Sequence, residues 1–448
     1  MNIVATPEKP LKIAVKPKEG GRVWWIFGGA LVLRLVLVPF NHPWDGQTWY
    51  NLLVDLSQNH SPYDTFRQLS LFARSAKINP YYEYFAYPPG LIYLYYPIAR
   101  LYALFDPNLT YHFSSPGTLP AFPVPLAASL FFKLPVILGD LATGWLLKRM
   151  AGLKVAALYL YNPYVIFMSA WMFDSLMVLC LLLGLYWLEK GKLERVAIVL
   201  ALGTLIKFVP VFIIPAFLVF LLTRNYRAAQ ILRFSLIYTL AVVLPCLPFY
   251  DGLLFVLGFQ AQRVGGGLSW QAIWYFLGSW FPGNYWADYI FSFSGAVGAL
   301  LLIAGTLLTC ALVYRFRPAA LGMFIAALAG YLAFTKVVNE VYVLPLVPLV
   351  LLQLARQSSP GWERCYKLLW SIPLAFALVN VPFFHFELNF LSNLAQADNL
   401  AANRLYSLLP RRELSVTLLL TALGFTALCV TILLKSVKGR IETTDEHR

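Results

Sequence analysis

The segment Trp44-Asp45-Gly46-Gln47-Thr48-Trp49-Tyr50 sets one carboxylate among aromatic residues directly after an apolar run, Val23 to Phe40. Two readings fit this acid. As an ordinary surface acid Asp45 does no chemistry. As a general base it takes a proton from an acceptor hydroxyl while a leaving group departs from the opposite face of a sugar. A second acid lies in Ala170-Trp171-Met172-Phe173-Asp174-Ser175, a very short turn between two apolar runs. Acids at a membrane edge are functional candidates because their desolvation is costly, and the alternative for Asp174 is capping of the helix that follows. The cations are Lys207 in Ile206-Lys207-Phe208-Val209-Pro210 and Lys336 in Thr335-Lys336-Val337-Val338-Asn339-Glu340. Both suit a phosphate held at the interface. Snorkelling to headgroups is the plain alternative, as is pairing of Lys336 with Glu340 one turn later. Arg263 precedes Gly265-Gly266-Gly267 and is another phosphate partner, although these glycines fit no P-loop spacing.

The elements that carry these residues must be apolar helices. Of 448 residues, 59% are hydrophobic and 12% charged, against about 25% charged in soluble domains. The fold class is all-α: a polytopic membrane protein of about 12 transmembrane helices with a large first extracytoplasmic loop. Its apolar runs are Val23–Phe40, Pro125–Leu147, Val155–Ala170, Phe173–Leu188, Val196–Leu205 with Phe208–Leu222 as a broken pair, Ile231–Tyr250, Phe291–Tyr314, Leu321–Phe334, Val341–Leu354, Leu368–Phe384 and Leu414–Leu434. Several are shorter than the roughly 20 residues a span needs, so their ends extend into polar flanks or lie inside the bundle.

Lys and Arg near span ends stay on the cytoplasmic side. Clusters at 9–22, 148–154, 190–195, 224–233, 315–317, 356–367 and 435–448 hold 23 of the 35 basic residues, which makes both termini cytoplasmic. The same rule decides Val196 to Leu222. A single crossing would invert every later cluster, so this segment makes two short passes reversing at Lys207. The domains are then a tail over 1–22, one membrane domain over 23–434 containing the first outer loop at 41–120, and a tail over 435–448. The first span acts as an uncleaved anchor. The net charge of +14 is a topology signal and an attraction to anionic lipid, with no nucleic-acid partner implied. Five scattered cysteines form no metal or disulfide pattern.

This topology puts Asp45, Asp174, Lys207, Arg263 and the 335–340 turn on the non-cytoplasmic face. Tyr87-Pro88-Pro89-Gly90 in the first loop is a rigid turn, a role compatible with a substrate wall. Lys133 and Asp140 are seven residues apart on one helical face, and Arg34 lies inside the first span. Buried pairs that fix helix packing are the preferred reading of these three; Asp140 is a second-choice catalytic residue.

Several of these elements occur together in a known class. They are an Asp after the first span, a Tyr-Pro-Pro segment, Asn162-Pro163 ahead of Phe173-Asp174, a Lys before an aromatic-Pro helix and a late Thr-Lys-Val-x-Asn-Glu turn. In this order the chain resembles the GT-C integral-membrane glycosyltransferases, in particular those using polyprenyl- or dolichyl-phosphate sugars. The resemblance covers most of the chain through short motifs. It implies an inverting hexosyl transfer, of mannose or glucose, from a lipid-phosphate donor to a lipid or lipid-linked glycan acceptor, without a metal or other cofactor. It implies Asp45 as base, Tyr87, Pro88 and Pro89 bordering the donor, and Asp174 on the sugar or acceptor side. Lys207, Lys336 and Arg263 would neutralise phosphate, and Trp44 and Tyr50 would stack on sugar or prenyl chain. Many relatives carry a second acid where this chain has Gly46. Some carry histidines at the two turns, where this chain offers Asp174 and Asn339-Glu340. The implied location is the plasma membrane of a prokaryote or the endoplasmic reticulum of a eukaryote. A transporter or flippase of a lipid-linked sugar is the reading from another class.

Overall fold

Helices form wherever the apolar runs lie, and the breaks fall where capping chemistry demands them. A computed structural model of the chain describes residues 20–41, 43–75, 85–112, 124–262, 266–274, 284–380 and 411–438. The first seven helices are α1 Gly20–Val36, α2 Pro43–Ser57, α3 Pro62–Ser75, α4 Gly90–Tyr102, α5 Leu126–Ala151, α6 Leu153–Leu160 and α7 Pro163–Trp171. They are followed by α8 Asp174–Glu189, α9 Leu193–Ile206, α10 Ile214–Thr223, α11 Ala228–Cys246 and α12 Tyr250–Gln262. The last five are α13 Asn284–Phe316, α14 Ala320–Phe334, α15 Leu346–Arg356, α16 Pro360–Asn380 and α17 Arg411–Lys438. Within the described residues, four helical stretches are long and apolar enough to cross a membrane: Leu126–Ala151, Ala228–Ala261, Phe293–Phe316 and Val416–Lys438.

The outer surface fits such a solvent. On α11, Leu232, Leu236, Leu240 and Leu244 are all exposed, Leu232 by 69%. A contiguous stripe of this kind is unfavourable in water and natural against hydrocarbon. At the centre, α14 is buried from Leu321 to Ala333 and packs against α8, α10, α13, α15 and α17.

The run Val155–Ala170, expected as one span, is two helices. Asn162 caps α7 by accepting from the backbone N–H groups of Tyr164 and Val165 at 2.9 and 3.3 Å, and Pro163 takes the first helical position. A capping Asn followed by Pro specifies a start, so the chain breaks there. The segment 41–120, expected as an outer loop, contributes α2, α3 and α4. Of these, α2 and α4 pack on each other and on α5. Residues 42, 76–84 and 113–120 of that segment, and 381–410 later in the chain, lie outside the described residues.

The reversal at Lys207 is explicit in the geometry. Glu194 at the start of α9 pairs with Arg233 in α11 at 3.2 Å, and Thr204 near the end of α9 meets Tyr238 further along α11 at 2.9 Å. The two helices therefore run parallel, so α10 between them carries the chain back. Basic clusters gather at the end where α10 finishes. Arg356 pairs with Glu189 at 2.7 Å, the Arg224 guanidinium donates to the Pro318 carbonyl, and Lys435 lies over the Trp362 ring.

Candidate functional site

The other end of the α8–α9 hairpin collects the singled-out residues. α8 runs about 24 Å from Asp174 to Glu189, which separates the site from the basic end by most of a bilayer core. Asp174 is the first residue of α8, and Lys207 is the residue that ends α9. Their ion pair, Nζ to Oδ1, is 2.6 Å long, with the two residues 5% and 0% exposed. Each charge also faces the helix end that favours it: the carboxylate an N-terminus, the ammonium a C-terminus. Phe173 holds the N-cap position, so Asp174 is not the cap that one sequence reading allowed. Its Oδ2 is buried and accepts no hydrogen bond from any described residue.

Aromatic rings wall the pair. Lys207 sits 4.1 Å from the centroid of Tyr342 and 5.8 Å from that of Phe173. Phe173 meets Trp49 and Tyr87 edge-on, both at 4.9 Å, and Trp49 stacks on Phe132 at 4.8 Å. Ring edges on faces satisfy the aromatic quadrupole and stiffen the wall.

Asp45 lies in the first turn of α2, half-buried, and its charge is felt at Asp174. Gly46 beside it has little room: a β-carbon there would lie 3.1 Å from Asn41 and 3.2 Å from Val124. An acidic side chain at this position would crowd those neighbours. Trp49, one helical turn after Asp45, shares its face of α2. It was not singled out from the sequence, and reading 43–57 as a helix would have found it. Tyr50, expected to stack on substrate, is instead buried against the His112 ring at 5.6 Å, and burial pushes its hydroxyl pKa up. Trp44 belongs to the same first turn, but its side chain lies outside the described residues, as does Arg263.

Tyr87 is half-buried and Pro88 and Pro89 are buried, with Pro89 at the N-cap of α4. The next residue explains how this turn reaches the site. A β-carbon on Gly90 would lie 2.4 Å from the Leu205 carbonyl oxygen, so only glycine lets α4 start against the end of α9. Tyr87 is further held by its carbonyl, which accepts from Tyr63 at 2.7 Å.

On the far side, Glu340 is 5% exposed and opens a 3-10 turn, Glu340–Val343, with Asn339 at its N-cap. The Glu340 carbonyl accepts from the Tyr164 hydroxyl. The turn is strapped by a short parallel pairing, β1 Gly266–Gly267 with β2 Val337–Val338. Gly267 has φ +65, and a β-carbon there would strike the Val338 carbonyl at 2.1 Å. Lys336 leaves this cluster: its Nζ donates to the Ala261 carbonyl at 2.6 Å, toward the end of α12.

The structure thus brings together Asp45, Tyr87, Asp174, Lys207 and the Glu340 turn, adds Trp49, and directs Tyr50 and Lys336 elsewhere. Arg34 and Asp140 form a separate buried pair at 2.8 Å, while Lys133 donates to the Val38 carbonyl at 2.8 Å at the end of α1. Chemically, the site offers carboxylates, aromatic faces and one neutralised ammonium, a set suited to a polar ring with hydroxyls. No family model and no curated protein matches the chain. What the fold and composition define is the class: an all-helical protein with helices able to cross a bilayer.

Proposed function

We propose that the protein is an inverting, metal-independent membrane hexosyltransferase, multi-pass, with its site on the non-cytoplasmic face and a polyprenyl-phosphate hexose as donor. Asp45 takes the proton of an acceptor hydroxyl on a lipid or lipid-linked glycan. The freed oxygen attacks the anomeric carbon, that carbon's bond to the phosphate oxygen breaks, and the lipid phosphate leaves as an anion that needs no proton. A single base suffices, unlike the acid pair of glycoside hydrolysis.

The observation that carries this reading is the placement of Asp45, with Trp49 one turn on, beside the Asp174–Lys207 pair at the end of the bundle opposite the basic clusters. By the positive-inside rule that end is non-cytoplasmic. Tyr87, half-buried, supplies a ring for a sugar, Trp49 and Phe173 are buried behind it and stiffen the wall, and Asp174 supplies an acceptor for the sugar's hydroxyls. Lys207 is already neutralised by Asp174, which makes it a positioner of that carboxylate more than a phosphate ligand.

The test is transfer of label from a panel of radiolabelled polyprenyl-phosphate hexoses to membrane lipid by purified protein. Label moves to a new product with at least one donor, and Asp45→Asn lowers the rate by about 100- to 10,000-fold while the protein remains folded. Full activity of that variant would sink the role of Asp45. The helix broken at Lys207 is a feature that carriers also use. No transfer from any donor, with intact lipid moving across a vesicle bilayer, would replace the enzyme by a transporter.

A further inference from the structure

The turn that joins α8 to α9, residues 190–192, is a point where the basic end of the bundle meets its apolar flank. Lys190 and Lys192 are exposed in this turn, and Arg195 is exposed in the first turn of α9. The two acids of the same stretch are already engaged by bases from other helices. Glu189 is held by both Nη atoms of Arg356 in α15, at 2.7 and 3.1 Å, and Glu194 by Arg233 in α11 at 3.2 Å. Lys190, Lys192 and Arg195 form no ion pair among the described residues. Five bases against two acids leave this patch a formal +3, and the charge that is left over sits on those three side chains.

The surface below the charge decides which kind of anion fits. Arg195, Ile198 and Leu202 are spaced by three and four residues and so share one face of α9. Ile198 is 46% and Leu202 50% exposed, an apolar stripe suited to hydrocarbon. From Arg195 to Leu202 the helix rises about 10 Å, against about 15 Å for half of a bilayer core. The cations are also held at headgroup depth by rings. The Arg195 guanidinium lies 4.3 Å from the centroid of Trp187 in α8, and the Lys190 ammonium 5.7 Å from that of Tyr186. Trp and Tyr prefer that level of a membrane. A free anion would use the charge and leave the stripe bare. A lipid with an anionic head uses both, and each base near such a head adds about 5-fold in affinity.

We infer that the α8–α9 turn binds an anionic phospholipid, its headgroup on Lys190, Lys192 and Arg195 and an acyl chain along Ile198 and Leu202. This site lies at the opposite end of α8 from Asp174. It is independent of the transferase reading.

The experiment equilibrates the purified protein in detergent micelles holding equal amounts of phosphatidylglycerol and phosphatidylcholine, re-isolates it and quantifies the bound lipid. Phosphatidylglycerol is retained at least about 10-fold over phosphatidylcholine, and the preference shrinks as sodium chloride is raised from about 0.05 to about 0.5 M. The triple variant Lys190→Gln, Lys192→Gln, Arg195→Gln loses most of the preference. Removing as many bases elsewhere at the same end, with Lys148→Gln, Arg149→Gln and Lys154→Gln, leaves it intact. Equal retention of the two lipids by the unaltered protein overturns the inference. So does an equal loss in the two triple variants, which would mean a diffuse attraction with no site, and so does displacement of the lipid by inorganic phosphate at constant ionic strength, which would mean a site for the free anion. Because the first triple variant can fail to fold, a phosphatidylglycerol with a photoreactive headgroup gives a second readout on the unaltered protein. Crosslinks within residues 186–202 support the site, and crosslinks confined to other segments overturn it.

Discussion

Two buried ion pairs stand among the described residues, and their differences separate scaffold from site. Asp140 takes Arg34 on one oxygen and is further bonded by Tyr159 at 3.2 Å and by Ser169, so both of its oxygens are engaged within the core. Among the described side chains Asp174 is bonded by Lys207, keeps Oδ2 without a described donor, and stands at a helix end under aromatic rings. An acid with both oxygens engaged deep in the core holds helices together. A pair with a vacant acceptor, beside Asp45 and ring faces, can still bind something. A buried pair is weak evidence for stability, and what matters is whether each lone pair has been used.

The largest effect that tests this contrast is in the core pair. Asp140→Asn leaves the Arg34 charge buried without its partner and costs about 3–5 kcal/mol of stability, seen as a lowered unfolding midpoint. Replacing both residues, Arg34→Met with Asp140→Met, recovers most of that loss, because a well-packed apolar pair can match a buried ionic one. If the double variant fails as badly as the single one, the pair does more than hold α1 to α5.

Another buried acid, Asp55, extends the comparison because it accepts from two neutral groups, Thr65 and Tyr111. Burial pushes its carboxyl up to about 6, against the lowering effect of hydrogen bonds from Thr65 and Tyr111 at 2.6 and 2.8 Å. The folded pKa thus exceeds the unfolded value of about 3.9, and the folded state holds the proton in between. The stability from this group is complete below the unfolded value and is lost as pH rises through about 6. The unfolding midpoint therefore falls between pH 5 and 7.5 by an amount equivalent to about 1.4 kcal/mol, and Asp55→Asn flattens that slope.

The smaller ion-pair effect belongs to the proposed site. Asp174→Asn also strips a buried cation of its counter-charge, but the Lys207 ammonium keeps the Tyr342 face, so the cost is about 1–2 kcal/mol less than that of Asp140→Asn. Transfer activity falls at least about 10-fold, as expected if one hydroxyl contact is lost in the transition state. If activity survives while stability drops by as much as in Asp140→Asn, the two pairs are alike and the site reading of Asp174 fails.

How far the sequence reached differs by residue. The break at Lys207 and the return of α10 followed from counting basic residues, because charge near span ends is a property of sequence alone. The pairing of Arg34 with Asp140 was within reach, since neither is tolerated alone in an apolar segment. Tyr50 enters only through the family resemblance, whereas Trp49 shares the face of Asp45 only once 43–57 is a helix. Lys133 was grouped with Asp140 by spacing, yet it caps a helix from another part of the chain.

By itself, the sequence determined the helical class, the apolar surface, the basic end and the acids that could act, since these follow from composition and local pattern. Only the tertiary structure decided which partner each buried charge takes. Lys207 went to Asp174, Lys336 to the Ala261 carbonyl, and Gly90 proved to be the point where α4 touches α9. Those choices depend on which helix ends meet in space, and distances between residues 33 or 115 positions apart are set by packing rather than by any local pattern.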